Sequence, residues 1–363
     1  MGSKKMSSIR STAELACQLG ISRWAVSRAL NGRSGVSAET SRRVREAMAR
    51  SGFLPSPLAQ GLRGGRTRYV GICLPELESF YLEPKLELLR AELSGRGFQV
   101  IVGMTDGDPA NERAMLRQFG ALRTAAIVAV ASSQPRSVIQ ALEAQGARLL
   151  LVDPLREGHS GGIAVNRRTG MREATAHLLE QGHRRFGLLG ILGDTLYTRR
   201  RLEGVALACS ERGLAARRAV RSIALPDSGG SELQKGFQAA GTILRLRPVP
   251  TAILALNDLV ALGLIRGLQE AGLAVPGDIS VVGYDNREIG AFSTPKLTTI
   301  DAHPDALMRQ VAADLLAMIE GGDPNRTGTL WPETNLVVRD SSGLATSARP
   351  ACSGKPSGNS RRG

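Results

Sequence analysis

Four cysteines (Cys17, Cys73, Cys209, Cys352) are scattered over 363 residues with no paired spacing. That argues against zinc ligation or a disulfide framework and suits a reducing compartment. The four histidines (His159, His177, His183, His303) include no pair at metal-ligand spacing, so neither a metal nor a cofactor is expected. No Gly-x-x-x-x-Gly-Lys-Ser/Thr loop is present to cradle a nucleotide phosphate. Nowhere do about 18 apolar residues run uninterrupted, which excludes a membrane-spanning helix of ordinary length. The opening Met-Gly-Ser-Lys-Lys-Met has no apolar stretch behind its lysines, so a secretory leader is not expected. Met6 stands where the myristoylation pattern needs Ser or Thr. The protein is expected in the cytoplasm.

The composition is that of a globular chain able to bury a large core, with 42% hydrophobic and 22% charged residues. Its length favours two or three domains. The net charge of +14 is unevenly placed. Residues 1–68 carry 13 Lys and Arg against Glu14, Glu39 and Glu46, a balance of +10. Residues 69–340 balance to zero, and Arg349, Lys355, Arg361 and Arg362 give the last 23 residues +4. A neutral body behind a short basic segment is the footprint of nucleic-acid binding.

Local signals divide the chain further. Ser11-Thr-Ala-Glu14 reads as a capping box that opens a helix with Leu15, Ala16 and Leu19 on one face, stopped by Gly20. Ser22 can cap a second helix carrying Val26, Ala29 and Leu30, and Ser37 a third carrying Val44, Ala47 and Met48. Pro55 and Pro57 break the pattern, and Arg63-Gly-Gly-Arg-Thr-Arg68 reads as a basic linker. From Tyr69 short apolar runs alternate with amphipathic helical stretches, the pattern of parallel β-α-β units covered on both faces. There are more units than one ordinary sheet needs, and the series pauses near Val165, which predicts two similar α/β lobes. Beyond Asp340 the Ser-, Gly-, Pro- and Arg-rich stretch is too poor in apolar residues to fold.

Two short helices joined through Gly20-Ile21-Ser22 have the length and spacing of a helix-turn-helix, whose second helix enters the major groove. Its first turn offers Arg23, Trp24, Ser27 and Arg28. An arginine fork matches the O6 and N7 acceptors of guanine. Trp24 has two readings, a base-facing ring or a partly buried anchor on the helical core.

The stretch Leu15-Ala-Cys-Gln-Leu-Gly-Ile-Ser-Arg-Trp-Ala-Val-Ser-Arg-Ala-Leu-Asn-Gly32 resembles the lactose-repressor (LacI/GalR) family, including its Val-Ser-Arg-X-Leu-Asn recognition helix. That resemblance places Arg23, Trp24 and Arg28 on base-reading positions, with Ser22 and Ser27 on phosphates or neighbouring bases. Leu54-Pro-Ser-Pro-Leu-Ala-Gln-Gly-Leu62 resembles the family's hinge, in which Leu62 would wedge a base step with Ala59 packed beside it. Two departures stand out: Glu14-Leu15-Ala16 replaces the usual Asp-Val-Ala opening, and Gly35 occupies a position where some members contact phosphate.

The resemblance continues to about residue 340. It is carried by Tyr69-Val-Gly-Ile, His177-Leu-Leu-Glu-Gln-Gly-His-Arg-Arg-Phe-Gly187, Arg201-Leu-Glu-Gly204 and Pro250-Thr-Ala-Ile-Leu-Ala-Leu-Asn-Asp258. Val275-Pro-Gly-Asp-Ile-Ser-Val-Val-Gly-Tyr-Asp285 and Thr294-Pro-Lys-Leu-Thr-Thr-Ile300 complete it. It implies an all-α helix-turn-helix headpiece followed by an α/β core of two Rossmann-like lobes, like the type I periplasmic binding proteins, closing on a small molecule. Asn257 and Asp285 end apolar runs, and ligands of parallel sheets bind where strands end. With Arg201 they supply donors and acceptors suited to polyol hydroxyls. Phe80 and Tyr81 match an aromatic pair that packs on ligand rings in some members. Asp153 is either a further acceptor or a loop cap.

The expected domains are a headpiece over 7–54, a hinge and linker over 55–68, and a first lobe of 69–165 plus about 298–329. A second lobe of 166–297 plus about 330–340 and a disordered tail over 341–363 follow. The function implied is an effector-controlled transcription regulator, a repressor rather than an enzyme, dimeric on palindromic double-stranded operator DNA. Its implied effector is a sugar or sugar derivative, and it would sit on the nucleoid. A sugar kinase shares the two-lobed plan but lacks support in the motifs. A periplasmic sugar receptor shares the core, yet has no use for the basic headpiece.

Overall fold

The computed structural model describes residues 9, 11–30, 34–53, 66–75, 82–159, 162–227, 229–322 and 334–345, with the side chains of 82–85 left aside. It divides into two compact units, one of residues 1–68 with 121–125 and one holding the remainder.

The first unit contains α1 (Thr12–Leu19), α2 (Arg23–Leu30) and α3 (Ala38–Ser51). Each start is fixed by a serine whose hydroxyl accepts a backbone N–H three residues on: Ser11 from Glu14, Ser22 from Ala25 and Ser37 from Thr40, all at 3.1 Å. A cap of this kind contributes about 1 kcal/mol to a short helix. Gly20 closes α1 in the left-handed region at φ 64°, donating back to the Ala16 and Cys17 carbonyls. Leu15, Val26 and Val44, one from each helix, meet fully buried in a core completed by Ile9, Ala29, Ala47 and Phe53.

The second unit holds two sheets. β1 (Tyr69–Leu74), β2 (Gln99–Met104), β3 (Ala126–Val130) and β4 (Leu149–Val152) form a parallel sheet in the order β2-β1-β3-β4. Helices α4 (Leu82–Gly95), α5 (Pro109–Ala121) and α6 (Arg136–Ala144) connect its strands. After α7 (Arg167–Glu180) comes β5 (Phe186–Leu189), then α8 (Leu196–Glu211) and the short α9 (Ala216–Ala219). β6 (Val220–Ile223), α10 (Glu232–Arg245), β7 (Ala252–Ala255), α11 (Asp258–Glu270) and β8 (Ser280–Tyr284) continue the alternation. The series ends with α12 (Glu288–Phe292), β9 (Thr298–Asp301), α13 (Pro304–Ile319) and β10 (Asn335–Val337). The second sheet runs β10-β9-β8-β7-β5-β6, parallel except for β10 against β9. β3, β4, β5, β7 and β8 are buried throughout, as covered parallel strands must be.

Two expected boundaries are corrected. Thr298–Asp301 belongs to the second sheet, not the first lobe, because β9 pairs with β8 (Val282 opposite Thr298). The return to the first lobe comes only with α13, which packs on α4 and reaches β3 and β4. The tail begins after residue 345 rather than at 341. Ser341 donates to the Val281 carbonyl (2.6 Å) and accepts from Thr298 N–H (2.8 Å), and Ala345 N–H reaches the Gln181 carbonyl (2.8 Å). His183, buried, joins Thr251, Ser280 and the Gly343 carbonyl at 2.9–3.1 Å. These bonds satisfy buried polar groups that would otherwise each cost about 1–3 kcal/mol.

Gly204, in the Arg201-Leu-Glu-Gly204 block, has a packing role. A Cβ there would lie 2.2 Å from the Arg168 carbonyl oxygen, so only glycine lets α8 approach α7 this closely.

Candidate nucleic-acid interface and ligand cleft

In the helical unit the first turn of α2 is exposed. Ser22, Arg23 and Trp24 face solvent, with Trp24 59% exposed, while Ser27 and Arg28 are half-buried. The Trp24 ring is therefore not an anchor in the helical core. The Arg28 guanidinium lies over it, 4.9 Å from the ring centre, a cation–π contact. The same guanidinium donates to the Ser34 carbonyl through Nε (2.5 Å) and Nη2. Gly35, at φ 99°, packs against both side chains: a Cβ there would stand 3.2 Å from Arg28 Nε and 3.5 Å from the Trp24 ring. Arg28 thus braces the tryptophan and the turn before α3. Ala59 and Leu62 lie outside the described residues.

In the α/β unit the carboxyl ends of strands from both sheets converge on a cavity of about 410 Å³. Leu74, Val130 and Val152 come from the first sheet, and Tyr284, with Gly190 and Leu256 just past β5 and β7, from the second. Ligands of parallel α/β sheets bind where strands end. Four of the residues singled out from sequence line it together: Asp153, Arg201, Asn257 and Asp285. Phe80 and Tyr81 lie outside the described residues.

Each group has a defined state. Asp153, at φ 56°, grips Arg167 in two parallel hydrogen bonds of 2.6 Å and accepts Val165 N–H at 3.0 Å. Its carboxylate is committed to the protein, which corrects the expectation of an acceptor offered to a ligand. Arg167 stacks 3.8 Å from the centre of the Tyr197 ring, and the Tyr197 hydroxyl donates to the Asp153 carbonyl. Asn257 caps α11, its Oδ1 accepting Val260 N–H at 3.0 Å, while its Nδ2 donates to Glu232 at 2.7 Å. Asp285 sits at φ 104°, a strained conformation for any residue with a side chain, held by its N–H bond to the Ile300 carbonyl (2.8 Å). Arg201 is 7% exposed and stacks 4.5 Å from the centre of the Tyr284 ring. Burial, then the neighbouring Arg167 charge, lowers its pKa.

Behind Asp285 lies Asp258, fully buried, accepting from the Thr299 hydroxyl (2.5 Å) and Arg287 N–H (2.6 Å). Burial first, and the Asp285 charge second, push its pKa to about 8. Gly283 leaves it room, since a Cβ there would lie 2.2 Å from Asp258 Oδ1. Sequence reasoning missed Arg167, Tyr197, Glu112 and Glu232, all of which line the cavity. Among the described residues no cluster of His, Cys, Asp and Glu could hold a metal ion. No helix among them is long and apolar enough to cross a membrane.

A three-helix DNA-reading unit and a two-lobed core with a ligand-sized cleft define the class of a small-molecule-responsive DNA-binding regulator. Residues 11–56 match the family described as bacterial regulatory proteins, lacI family, and residues 175–342 match the periplasmic binding protein-like domain. The chain is 30% identical to the HTH-type transcriptional repressor PurR of Actinobacillus pleuropneumoniae serotype 3, over 81% of its own length and 86% of that protein. It is also 30% identical to the HTH-type transcriptional regulator MalR of Streptomyces coelicolor, over 95% and 98%. In structure it is similar to the lac repressor dimer bound to operator and the anti-inducer ONPF: TM-score 0.76, 27% identity, covering 92% of this chain and 99% of that one. A transcriptional regulator CelR–cellobiose complex matches at TM-score 0.65 with 26% identity, covering 92% and 100%. The chain belongs to the lacI family of bacterial regulatory proteins; it is a DNA-binding transcription regulator with a ligand-binding core.

Proposed function

We propose that this protein is a sugar-responsive repressor that binds a two-fold operator as a homodimer. The observation that carries the sugar reading is the cleft: about 410 Å³, at strand ends, with Arg201, Asn257 and Asp285 facing one space. Aromatic faces beside hydrogen-bonding groups suit a polyol ring. A relative whose solved complex holds cellobiose supports the same class of ligand.

In the headpiece, Arg23 reads a base edge, Trp24 lies against the groove with Arg28 steadying it, and Ser22 and Ser27 contact phosphate or adjacent bases. The hinge over 55–68, with Ala59 and Leu62, wedges the operator. The headpiece over 7–54 is one folding unit.

The homodimer has support in exposed apolar side chains. Val102 and Met104 stand 44% and 55% exposed on β2, an edge strand, and Ile289 and Phe292 stand 51% and 79% exposed on α12. Isolated apolar residues are ordinary on a surface, but an open edge strand and Phe292 call for cover. The lac repressor of the comparison is a dimer on operator. The leucine heptad by which tetramers form is missing after 340, where Leu344 is the sole leucine.

The test is operator binding by the full-length protein against a panel of mono- and disaccharides, repeated with Asp285→Ala. A sugar that changes operator affinity in the wild type and at least tenfold less well in the variant is expected. Indifference of operator binding to every sugar, with purines active instead, would overturn the sugar reading.

A further inference from the structure

Counting which polar groups at the cleft are already satisfied leads to a more specific ligand. The acidic side chains that line it look at first sight like a site for neutral or cationic groups. Asp153 is fully used by Arg167 and Val165. Glu112 accepts from Ser132 (2.5 Å), Ser133 N–H (3.0 Å), the Ser133 hydroxyl (2.7 Å) and Gln134 (3.2 Å). Asn257 spends its oxygen on Val260 and its amide on Glu232. Asp285 and Glu232 remain as carboxylates suited to hydroxyl donors.

On the donor side the balance is different. Arg201 makes no hydrogen bond or ion pair with any described residue, and its Nε is buried without a partner. The hydroxyl of Tyr284, beneath that guanidinium, is also buried with no partner among the described residues. Arg167, the other cleft arginine, has its charge answered by Asp153. Arg201 has only the ring face. A guanidinium carries five donors in a planar fork, and burying such a charge unpaired costs several kcal/mol. The nearby Asp285 and Asp153 charges favour its cationic form, yet burial and Arg167 outweigh them.

We propose that the effector is an acidic saccharide whose carboxylate is received by Arg201, with the Tyr284 hydroxyl as a further donor. This rests on the sugar reading above and narrows it. The planar carboxylate matches the guanidinium fork in two parallel hydrogen bonds, as Asp153 already does on Arg167. The sugar ring lies against the aromatic faces, and its hydroxyls reach Asp285 and Glu232. A neutral sugar would leave the Arg201 charge without an anion in a closed cleft.

Matched pairs that differ only at C6 test this: D-glucose and D-glucuronate, D-galactose and D-galacturonate, D-mannose and D-mannuronate. Thermal shift and titration calorimetry are run on the full-length protein at pH 7.5 and constant ionic strength. One acid is expected to bind at least tenfold more tightly than its neutral partner. Arg201→Gln should weaken that acid about 10- to 100-fold, with Arg201→Lys in between because it keeps the charge and loses the fork. Operator affinity without sugar reports whether each variant is folded, and the wild-type pair comparison stands without either. A neutral sugar binding as tightly as its acid overturns the anionic effector and leaves the sugar reading intact. An acid bound equally by folded Arg201→Gln overturns the role of Arg201. No shift from any member of either series overturns the sugar reading itself.

Discussion

Arg167 and Asp153 meet atom for atom, Nη1 on Oδ1 and Nη2 on Oδ2 at 2.6 Å, with both side chains buried. Breaking one half of such a pair strands a charge, which costs about 3–5 kcal/mol. Arg167→Met is therefore expected to lower unfolding stability by that amount in urea titration. The double variant Arg167→Met/Asp153→Asn should recover much of the loss, because no bare carboxylate remains. A single variant as stable as wild type would show that water reaches Asp153.

The headpiece makes a separate prediction. Arg23 is exposed on the reading face, whereas Arg28 is tied to Ser34 and Trp24. Arg23→Ala should reduce discrimination between operator and random DNA by about 1–3 kcal/mol, the worth of a bidentate arginine–guanine contact. Arg28→Ala should lose discrimination too, but with a change in Trp24 fluorescence in the free protein, since it releases the ring. Equal loss for all DNA sequences in the Arg23 variant would move that residue to the phosphates.

Much of this was legible from the sequence, and the limit has a physical shape. The headpiece helices were readable because Ser11, Ser22, Ser37 and Gly20 act within three or four residues of themselves. Parallel strands were readable because burial on both faces makes them continuously apolar. Arg201, Asn257 and Asp285 could be placed because the family blocks bracket them. Arg167, Glu112 and Glu232 could not, since charged residues on amphipathic helices read as solvated faces. Arg167 is internal only because Asp153, fourteen residues earlier, lies opposite. The same holds for Thr298–Asp301 and for residues 341–345, whose partners β8, Val281 and Gln181 are far away in sequence.

Asp258 gives the protein a signed pH dependence. Its carboxyl keeps its proton to about pH 8 in the folded state, against an ordinary value of 3.8. Across that window the folded state binds the extra proton, so stability contributed by this group falls as pH rises from about 4 to 8. The slope is up to ~1.4 kcal/mol per pH unit. Asp258→Asn, which mimics the neutral carboxyl, should flatten the slope, and the gap between variant and wild type should widen toward pH 8. Asp285→Asn should lower the Asp258 pKa, because the Asp285 charge is one of the causes that raise it. Parallel wild-type and Asp258→Asn stability curves between pH 5 and 8 would mean the buried carboxyl is already ionised.

Asn257 has two possible duties, and one substitution separates them. Its oxygen caps α11 through Val260 N–H, and its amide nitrogen reaches Glu232 at the cleft. Serine caps about as well as asparagine, so Asn257→Ser should retain the cap. It removes the amide that orders Glu232 and presents a donor to the ligand. Asn257→Ala removes both and should cost a further ~1 kcal/mol of stability. If Asn257 serves the ligand, the serine variant keeps near wild-type stability yet binds effector at least tenfold more weakly, a loss of about 1.4 kcal/mol. Because coupling between two ligands is reciprocal, the weaker effector need not change operator affinity in its absence. Calorimetry with the sugar found active on the wild type decides between the duties. Undiminished affinity in the serine variant, with stability lost only in the alanine one, would leave Asn257 as a helix cap and shift recognition to Arg201 and Asp285.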